Sequence, residues 1–176
     1  MINIEIINKW RENILNNLNS QDFENVLEKI LKQNPLFIPE FVKTSIINIC
    51  EAIEPNKYEK WINKYNIPTE ESTLGIICAG NIPAVGFFDI FMGLISNHKV
   101  YVKLSHSDNI LVPYLFRQLF KIYPQIEEKI VYVDSIHNVK VDKIIATGSN
   151  NANRYFSEYF SNKKALLRHD RKSLAI

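Results

Sequence analysis

The sequence has 176 residues, of which 46% are hydrophobic and 23% are charged, and its formal net charge is +2. This composition is typical of a globular domain and excludes disordered, collagen-like and coiled-coil chains. A net charge so close to zero indicates neither a nucleic-acid nor a membrane partner. The chain has two cysteines, no signal-peptide pattern and no apolar run of about 18 residues, so we expect a cytoplasmic protein without a membrane span.

The N-terminal third of the chain carries the apolar spacing of amphipathic helices. One stripe contains Phe23, Leu27 and Ile30 at intervals of four and three residues, and another begins at Val42. Such stripes are typical of helix packing and indicate no chemistry. We therefore predict an N-terminal helical segment over residues 1–66.

The rest of the chain alternates between strand-like and helix-like patterns. Short apolar runs typical of strands lie at 73–79, 99–104, 129–133 and 143–147, and helical patterns lie at 84–96, 109–122 and 149–160. This alternation is typical of a parallel sheet, because each parallel strand pair needs a crossover connection. We predict an α/β fold in which a Rossmann-like parallel sheet with flanking helices, residues 67–176, follows the helical segment.

Two of the predicted strands end in residues suited to ligand binding, which occurs beyond the carboxyl ends of strands in open α/β sheets. Gly80 lets a backbone approach a ligand, and the amide of Asn81 can donate to an oxyanion. The same pair also suits a simple turn before a helix that begins at Pro83. Lys103 ends the second strand, where a lysine is often only solvated.

A third strand end combines small and hydroxyl residues. The strand stops at Thr147 and Gly148, and Ser149 can cap the helix that follows. The free N–H groups and dipole at a helix N-terminus favour a phosphate. Serine is also a common N-cap in helices that bind nothing, so the pattern alone leaves both interpretations open.

Three stretches taken together resemble a known family. They are GIICAGNIPAVGFFD, HKVYVKLSHSDNILVPYL and DKIIATGSNNANRYFSEYF, with the later LLRHDRKSLAI. Their order and spacing over residues 73–176 resemble the aldehyde dehydrogenase superfamily, in particular its LuxC-type fatty acyl-CoA reductases, known from bacterial bioluminescence. The resemblance implies an aldehyde dehydrogenase-like fold. It also implies an NADPH-dependent enzyme that takes an acyl group from coenzyme A onto a cysteine and reduces the thioester to an aldehyde.

The resemblance also implies roles for the strand-end residues. Asn81 matches the oxyanion-hole asparagine of the superfamily, and Lys103 matches the lysine that hydrogen-bonds the adenosine ribose. Gly148 and Ser149, which follow Thr147, match the turn that faces the cofactor phosphates. We expect these residues to form the catalytic and cofactor-binding site.

Cofactor preference is expected to depend on the residues after Lys103. NAD-selective members of the superfamily commonly place a glutamate on the ribose hydroxyls where this chain has His106. A carboxylate repels a 2′-phosphate, whereas histidine tolerates it, and Ser105 can add a hydrogen bond to the same phosphate. NADP is therefore expected in preference to NAD.

The catalytic cysteine that the family requires has no counterpart after Ser149. Cys50 belongs to an apolar helical stripe and Cys78 lies within the first strand, so both are predicted to be buried and unreactive. Residues 172–176 resemble a strand at which the sequence stops. We expect a truncated chain without its catalytic domain, inactive alone, whose catalytic half lies further along the polypeptide or in a partner chain.

The sequence is also compatible with functions other than that of a reductase. A non-catalytic protein that binds a nucleotide or another subunit through its sheet edge is the main alternative. A helical interaction module with a degenerate sheet that binds no cofactor is another, and a homo-oligomer is left open. The four histidines show no metal-ligand spacing with each other or with the cysteines, so no metal is expected. A basic cluster is predicted to be solvated surface and consists of Lys163, Lys164, Arg168, His169, Arg171 and Lys172.

Overall fold

The computed structural model describes residues 2–168, which form an N-terminal group of helices followed by alternating strands and helices. The helices are α1 (Ile4–Asn17), α2 (Gln21–Gln33), α3 (Pro39–Ala52), α4 (Pro55–Ile62), α5 (Phe87–Ile95), α6 (Leu111–Ile122) and α7 (Asn150–Tyr159). The strands are β1 (Ser72–Ile77), β2 (His98–Lys103), β3 (Ile130–Tyr132), β4 (Lys143–Thr147) and β5 (Lys164–Arg168).

The five strands form one parallel sheet in the order β3-β2-β1-β4-β5. The chain runs outward from β1 through β2 to β3, then returns past β1 to β4 and β5. This reversal creates a topological switch point between β1 and β4, the place where open α/β sheets bind ligands. The predicted α/β fold with a parallel sheet and flanking helices is confirmed.

The helix after β1 begins later than the sequence predicts. The pattern predicts a helix from residue 84, with Pro83 at its start, but α5 begins at Phe87 with Gly86 as its N-cap. Ala84 has a φ of 57°, in the left-handed region, which a right-handed helix cannot include. Residues 80–86 therefore form a longer loop than predicted, and Asn81 lies in it.

One strand was missed by the sequence analysis. Lys164–Arg168 forms β5 at the edge of the sheet, paired with β4, although its lysine and arginine were assigned to a solvated basic cluster. An edge strand that is largely exposed lacks the apolar alternation by which strands are recognised. The strand predicted at 172–176 lies outside the described residues.

The larger part of the core joins the N-terminal helices to one side of the sheet. Trp10 of α1 is fully buried, and its ring lies 5.5 Å from that of Phe87 and 5.6 Å from that of Phe116. The indole Nε1 donates to the Leu115 carbonyl at 2.9 Å. The helices thus pack on α5 and α6, and the division of the chain at residue 66 stays a prediction.

A smaller core cluster covers the opposite face of the sheet. Its buried members are Ile136, Val141, Ile144, Ala146 and Phe160, and Phe156 of α7 packs against it. This packing holds α7 against the sheet, and α7 begins beyond the carboxyl end of β4.

Candidate functional site

The carboxyl ends of β1 and β4 border a cavity of about 720 Å³ at the switch point. Residues from three loops and α7 line it, among them Gly80, Asn81, Ser107, Thr147, Gly148, Ser149 and Phe156. The structure therefore brings Asn81 together with the Thr147 to Ser149 turn, as the sequence analysis expected.

The turn between β4 and α7 has the features of an anion site. Ser149 caps α7, accepting a hydrogen bond from the Ala152 amide at 3.3 Å. A Cβ at Gly148 would lie 3.0 Å from side-chain atoms of Ala152 and Phe156, so a larger residue would crowd the turn. The buried Oγ1 of Thr147 has no hydrogen-bond partner among the described residues. Such a buried hydroxyl would be satisfied by a water molecule or by a ligand group in the cavity.

The loop that carries Asn81 is held by side chains from two other parts of the chain. Ser107 Oγ donates to the Gly80 carbonyl at 2.9 Å, and Ser45 Oγ donates to the Pro83 carbonyl at 2.6 Å. Asn81 itself is exposed. Its amide is therefore available to a ligand while the backbone on either side is fixed.

Asp108 is the most perturbed carboxyl of the site. It is only 4% exposed, and burial raises its pKa to about 7 although the backbone N–H groups of Ala84 and Val85 act to lower it. Asp108 thus lies under the Asn81 loop as a carboxyl that titrates near neutral pH.

A second cavity, of about 840 Å³, lies at the ends of β2 and β3. Among its lining residues are Lys103, His106, Pro113, Tyr132, Asp134 and Asn138. Lys103 Nζ donates to the Leu104 carbonyl at 3.1 Å, and His106 is exposed. The structure thus brings together Lys103 and His106, the two predicted adenosine-side residues.

Ser105 is placed differently from the residues on either side of it. It does not line the second cavity, and its hydroxyl lies 2.9 Å from Ser107 Oγ. A Cβ at Gly80 would collide with both serine hydroxyls. Ser105 therefore packs between the two cavities, against the Asn81 loop.

Both cysteines are buried, as predicted. Burial raises the pKa of Cys50 to about 11 and the pKa of Cys78 to about 12. A Cβ at Gly86 would collide with Cys78 Sγ, so the thiol is packed against the Asn81 loop. Because the thiolate is the nucleophilic form, neither cysteine is suited to acyl transfer near neutral pH.

An exposed apolar groove of about 380 Å³ adjoins the site, and Asn81 lines it as well. Its other lining residues include Leu36, Phe37, Phe41, Ser45, Ile82 and Pro83. Leu36 is 80% exposed and Ile82 is 53% exposed, which is unusual for large apolar side chains. Exposed apolar clusters of this kind mark binding surfaces.

Three residues near the site were not predicted from the sequence: Ser107, Asp108 and Asp89. Ser107 and Asp108 come directly after Ser105 and His106 in the sequence. They face the Asn81 loop only because residues His106–Asp108 form a tight turn, which the sequence pattern does not indicate. Asp89 Oδ1 accepts a hydrogen bond from Arg168 Nη1 at 2.5 Å, a pairing between distant segments that no local pattern predicts. The burial of Asp108 has no local signal either.

Metal and membrane features are not found in the part of the chain that the structure describes. Residues 2–168 contain no group of three histidine, cysteine or acidic side chains placed to hold a metal ion. No helix within the same range is long and apolar enough to cross a membrane.

Solved aldehyde dehydrogenases share this fold. The glyceraldehyde-3-phosphate dehydrogenase GapN from Methanocaldococcus jannaschii, complexed with NADP, matches with a TM-score of 0.69 and 13% identity over 96% of this chain and 41% of that chain. An aldehyde dehydrogenase from Bacillus cereus in an NAD+ complex matches with a TM-score of 0.65 and 16% identity over 97% of this chain and 38% of that chain. This chain thus spans about two fifths of each structure, and its fold is of the aldehyde dehydrogenase class.

The sequence identifies the family within that class. A model of the family Acyl-CoA reductase (LuxC) matches residues 7–176, and the chain belongs to this family. The family resemblance drawn from the three motif stretches is confirmed. No curated protein sequence matches the chain.

Proposed function

We propose that this chain forms the cofactor-binding part of an NADPH-dependent fatty acyl-CoA reductase. The observation that carries the proposal is the cavity at the switch point, where Asn81 meets the Thr147 to Ser149 turn in a member of the acyl-CoA reductase family. An amide donor and a helix start that can bind a phosphate would hold an acyl oxygen and a nucleotide in the same cavity.

The residues present fit a nicotinamide cofactor. Gly148 and Ser149, at the start of α7, would hold the phosphates, and the unpartnered hydroxyl of Thr147 would gain a partner there. Lys103 and His106, in the neighbouring cavity, would hold the adenosine ribose. When bound, NADPH supplies the hydride that reduces a thioester to an aldehyde.

The preference for NADP rests on the charge around the ribose. His106 stands where a carboxylate would repel a 2′-phosphate, and Lys103 adds a positive charge to the same cavity. Asp134 lines this cavity too and opposes the preference. The hydroxyl of Ser105 already has Ser107 as a partner, so it would have to turn away to bind the phosphate.

The acyl side of the proposal rests on Asn81 and its groove. The Asn81 amide would donate to the acyl oxygen as negative charge develops on it. The apolar groove that begins at Asn81 suits a fatty chain better than a small acid, because a long chain would cover Leu36, Phe41 and Ile82. Acyl-CoA is therefore the proposed substrate.

The nucleophile is proposed to lie outside these 176 residues. Cys50 and Cys78 are the two cysteines of the sequence, and burial raises the pKa of both thiols far above neutral pH. The thioester-forming cysteine would then belong to a further part of the polypeptide or to a partner chain.

Titration of the chain with NADPH and NADH, followed by calorimetry, tests the cofactor site. We expect saturable binding, tighter for NADPH, and a loss of about tenfold in affinity for Lys103→Ala, because a charged hydrogen bond to the nucleotide is removed. Lys140→Ala is the matched control, since Lys140 is exposed and lines neither cavity. Absence of saturable binding in the wild-type chain would overturn the cofactor assignment.

The reaction is tested by mixing the same chain with NADPH and a long-chain acyl-CoA. We expect binding without turnover, because no thiolate is available in the chain. Aldehyde production would contradict the account of the nucleophile. Failure to bind either ligand would favour the alternative of a non-catalytic subunit.

A further inference from the structure

The tight turn His106–Asp108 after β2 has two sides. His106 is exposed and lines the cavity at the ends of β2 and β3, whereas Ser107 and Asp108 face the loop of residues 80–86. The same turn therefore borders the proposed cofactor site and the proposed oxyanion site.

Ser107 fixes the first residue of that loop. Its Oγ donates to the Gly80 carbonyl at 2.9 Å, directly before Asn81. Gly80 packs so closely against Ser105 and Ser107 that a Cβ would collide with their hydroxyls. The contact thus requires glycine at 80 and sets the direction in which the chain enters Asn81.

Asp108 fixes the far side of the loop. The residue is only 4% exposed, and the nearby backbone N–H groups of Ala84 and Val85 act to lower the pKa of its carboxyl. Ala84 has a φ of 57°, a conformation that costs an L-residue free energy and persists only when neighbouring contacts hold it. Asp108 supplies such a contact.

The turn is itself anchored on the N-terminal helices. Gln33 Nε2 donates to the His106 carbonyl and to Asn109 Oδ1, both at 2.7 Å, and Asn34 Nδ2 donates to the Ser107 carbonyl at 3.4 Å. A turn fixed in this way is a firm support for the loop that it contacts.

We propose that Ser107 and Asp108 are positioning residues for Asn81, so that the turn bordering the cofactor site also sets the placement of the oxyanion donor. The proposal rests on the proposed role of Asn81. The contacts that carry it are those of the chain alone and require no bound ligand.

Hydrogen exchange of residues 80–86 in the ligand-free chain tests the proposal. Ser107→Ala removes one hydrogen bond from the loop, so we expect exchange about fivefold faster there. Asp108→Asn replaces one carboxyl oxygen by an amide group, and faster exchange is expected at Ala84 and Val85. Exchange in β2 should stay close to that of the wild-type chain in both variants, which separates loss of positioning from general destabilisation.

Two further variants complete the experiment. Ser107→Thr keeps the hydroxyl and should restore slow exchange. Ser161→Ala is the matched control, because Ser161 Oγ also donates to a backbone carbonyl, that of Glu158 at 3.1 Å, away from the site. Wild-type exchange of residues 80–86 in both Ser107→Ala and Asp108→Asn would overturn the proposal. Because no nucleotide is added, this result is independent of the titration that tests the cofactor site.

Discussion

Phe41 exposes 59% of its surface in the groove that begins at Asn81. If the groove holds a fatty chain, Phe41→Ala removes apolar contact area from the long-chain complex alone. We expect about fivefold to tenfold weaker binding of a long-chain acyl-CoA, equivalent to about 1 kcal/mol, and unchanged binding of acetyl-CoA. Calorimetry with acyl chains of increasing length measures this.

Tyr155 offers a matched control for Phe41. It is an aromatic residue of α7 with a similar exposure, 58%, and it does not line the groove. Tyr155→Ala should leave the dependence on chain length unchanged. An equal loss for long and short acyl chains in Phe41→Ala would contradict the groove's proposed role.

Asp108 makes stability depend on pH in a defined direction. Its pKa is raised by burial to about 7 in the folded chain, against 3.8 for an exposed carboxyl. Between these values the folded state holds a proton that the unfolded state has released. The free energy of unfolding therefore falls as pH rises from about 4 to about 7 and is level above that range.

Asp108→Asn isolates this contribution. The variant has no ionisable group at position 108. We therefore expect the free energy of unfolding of the wild type minus that of the variant to decrease by on the order of 3 kcal/mol between about pH 4 and pH 8. Urea unfolding at a series of pH values measures the difference, and other titrating groups cancel in it. A difference that is constant across this range would show that Asp108 titrates normally.

At the level of elements, the edge strand β5 is joined to α5 by one ion pair. Arg168 Nη1 lies 2.5 Å from Asp89 Oδ1, and the Asp89 side chain is only 11% exposed. Arg168→Ala leaves this carboxylate nearly buried without its partner. We expect the free energy of unfolding to fall by about 2 kcal/mol, as measured by urea denaturation.

Arg154→Ala is the control for the loss of a surface arginine, since Arg154 is exposed on α7. It should change stability by less than about 0.5 kcal/mol. Adding Asp89→Asn to Arg168→Ala should cost less than the sum of the single changes, because each removes the same interaction. If the stability cost of the double variant equals the sum of the two single costs, the ion pair contributes nothing to stability.

For the whole molecule, the packing of Trp10 predicts a single cooperative unfolding transition. Its ring contacts Phe87 and Phe116, so the N-terminal helices share their core with the sheet. Tryptophan fluorescence and far-UV circular dichroism should give coincident unfolding curves. Two separate transitions would instead favour an independent helical unit over residues 1–66.

Trp10→Ala should destabilise the chain as one unit. The change removes a fully buried ring and its hydrogen bond to the Leu115 carbonyl, at a cost of about 3–5 kcal/mol. The single transition should move to lower denaturant concentration without splitting. Trp61→Ala, which removes a half-buried ring, should cost less.

Local patterns predicted much of the fold and part of the site. β1, β2, β3 and β4 were recognised because each contains a short apolar or β-branched run between turn residues. Asn81, Gly148 and Ser149 were found because turn and cap residues follow such runs directly. Their meeting in one cavity followed from the parallel topology.

Sequence patterns were therefore sufficient to predict the fold class, the family and the strand-end residues, since these depend on residues that are close together in the chain. The late start of α5, the strand β5 and the contacts of Asp108 and Arg168 became visible only in the folded structure. Each of these depends on segments far apart in sequence, whose burial and pairing exist only after the chain has folded. The contacts of Ser107 and Asp108 with the loop that carries Asn81 also join segments far apart in sequence.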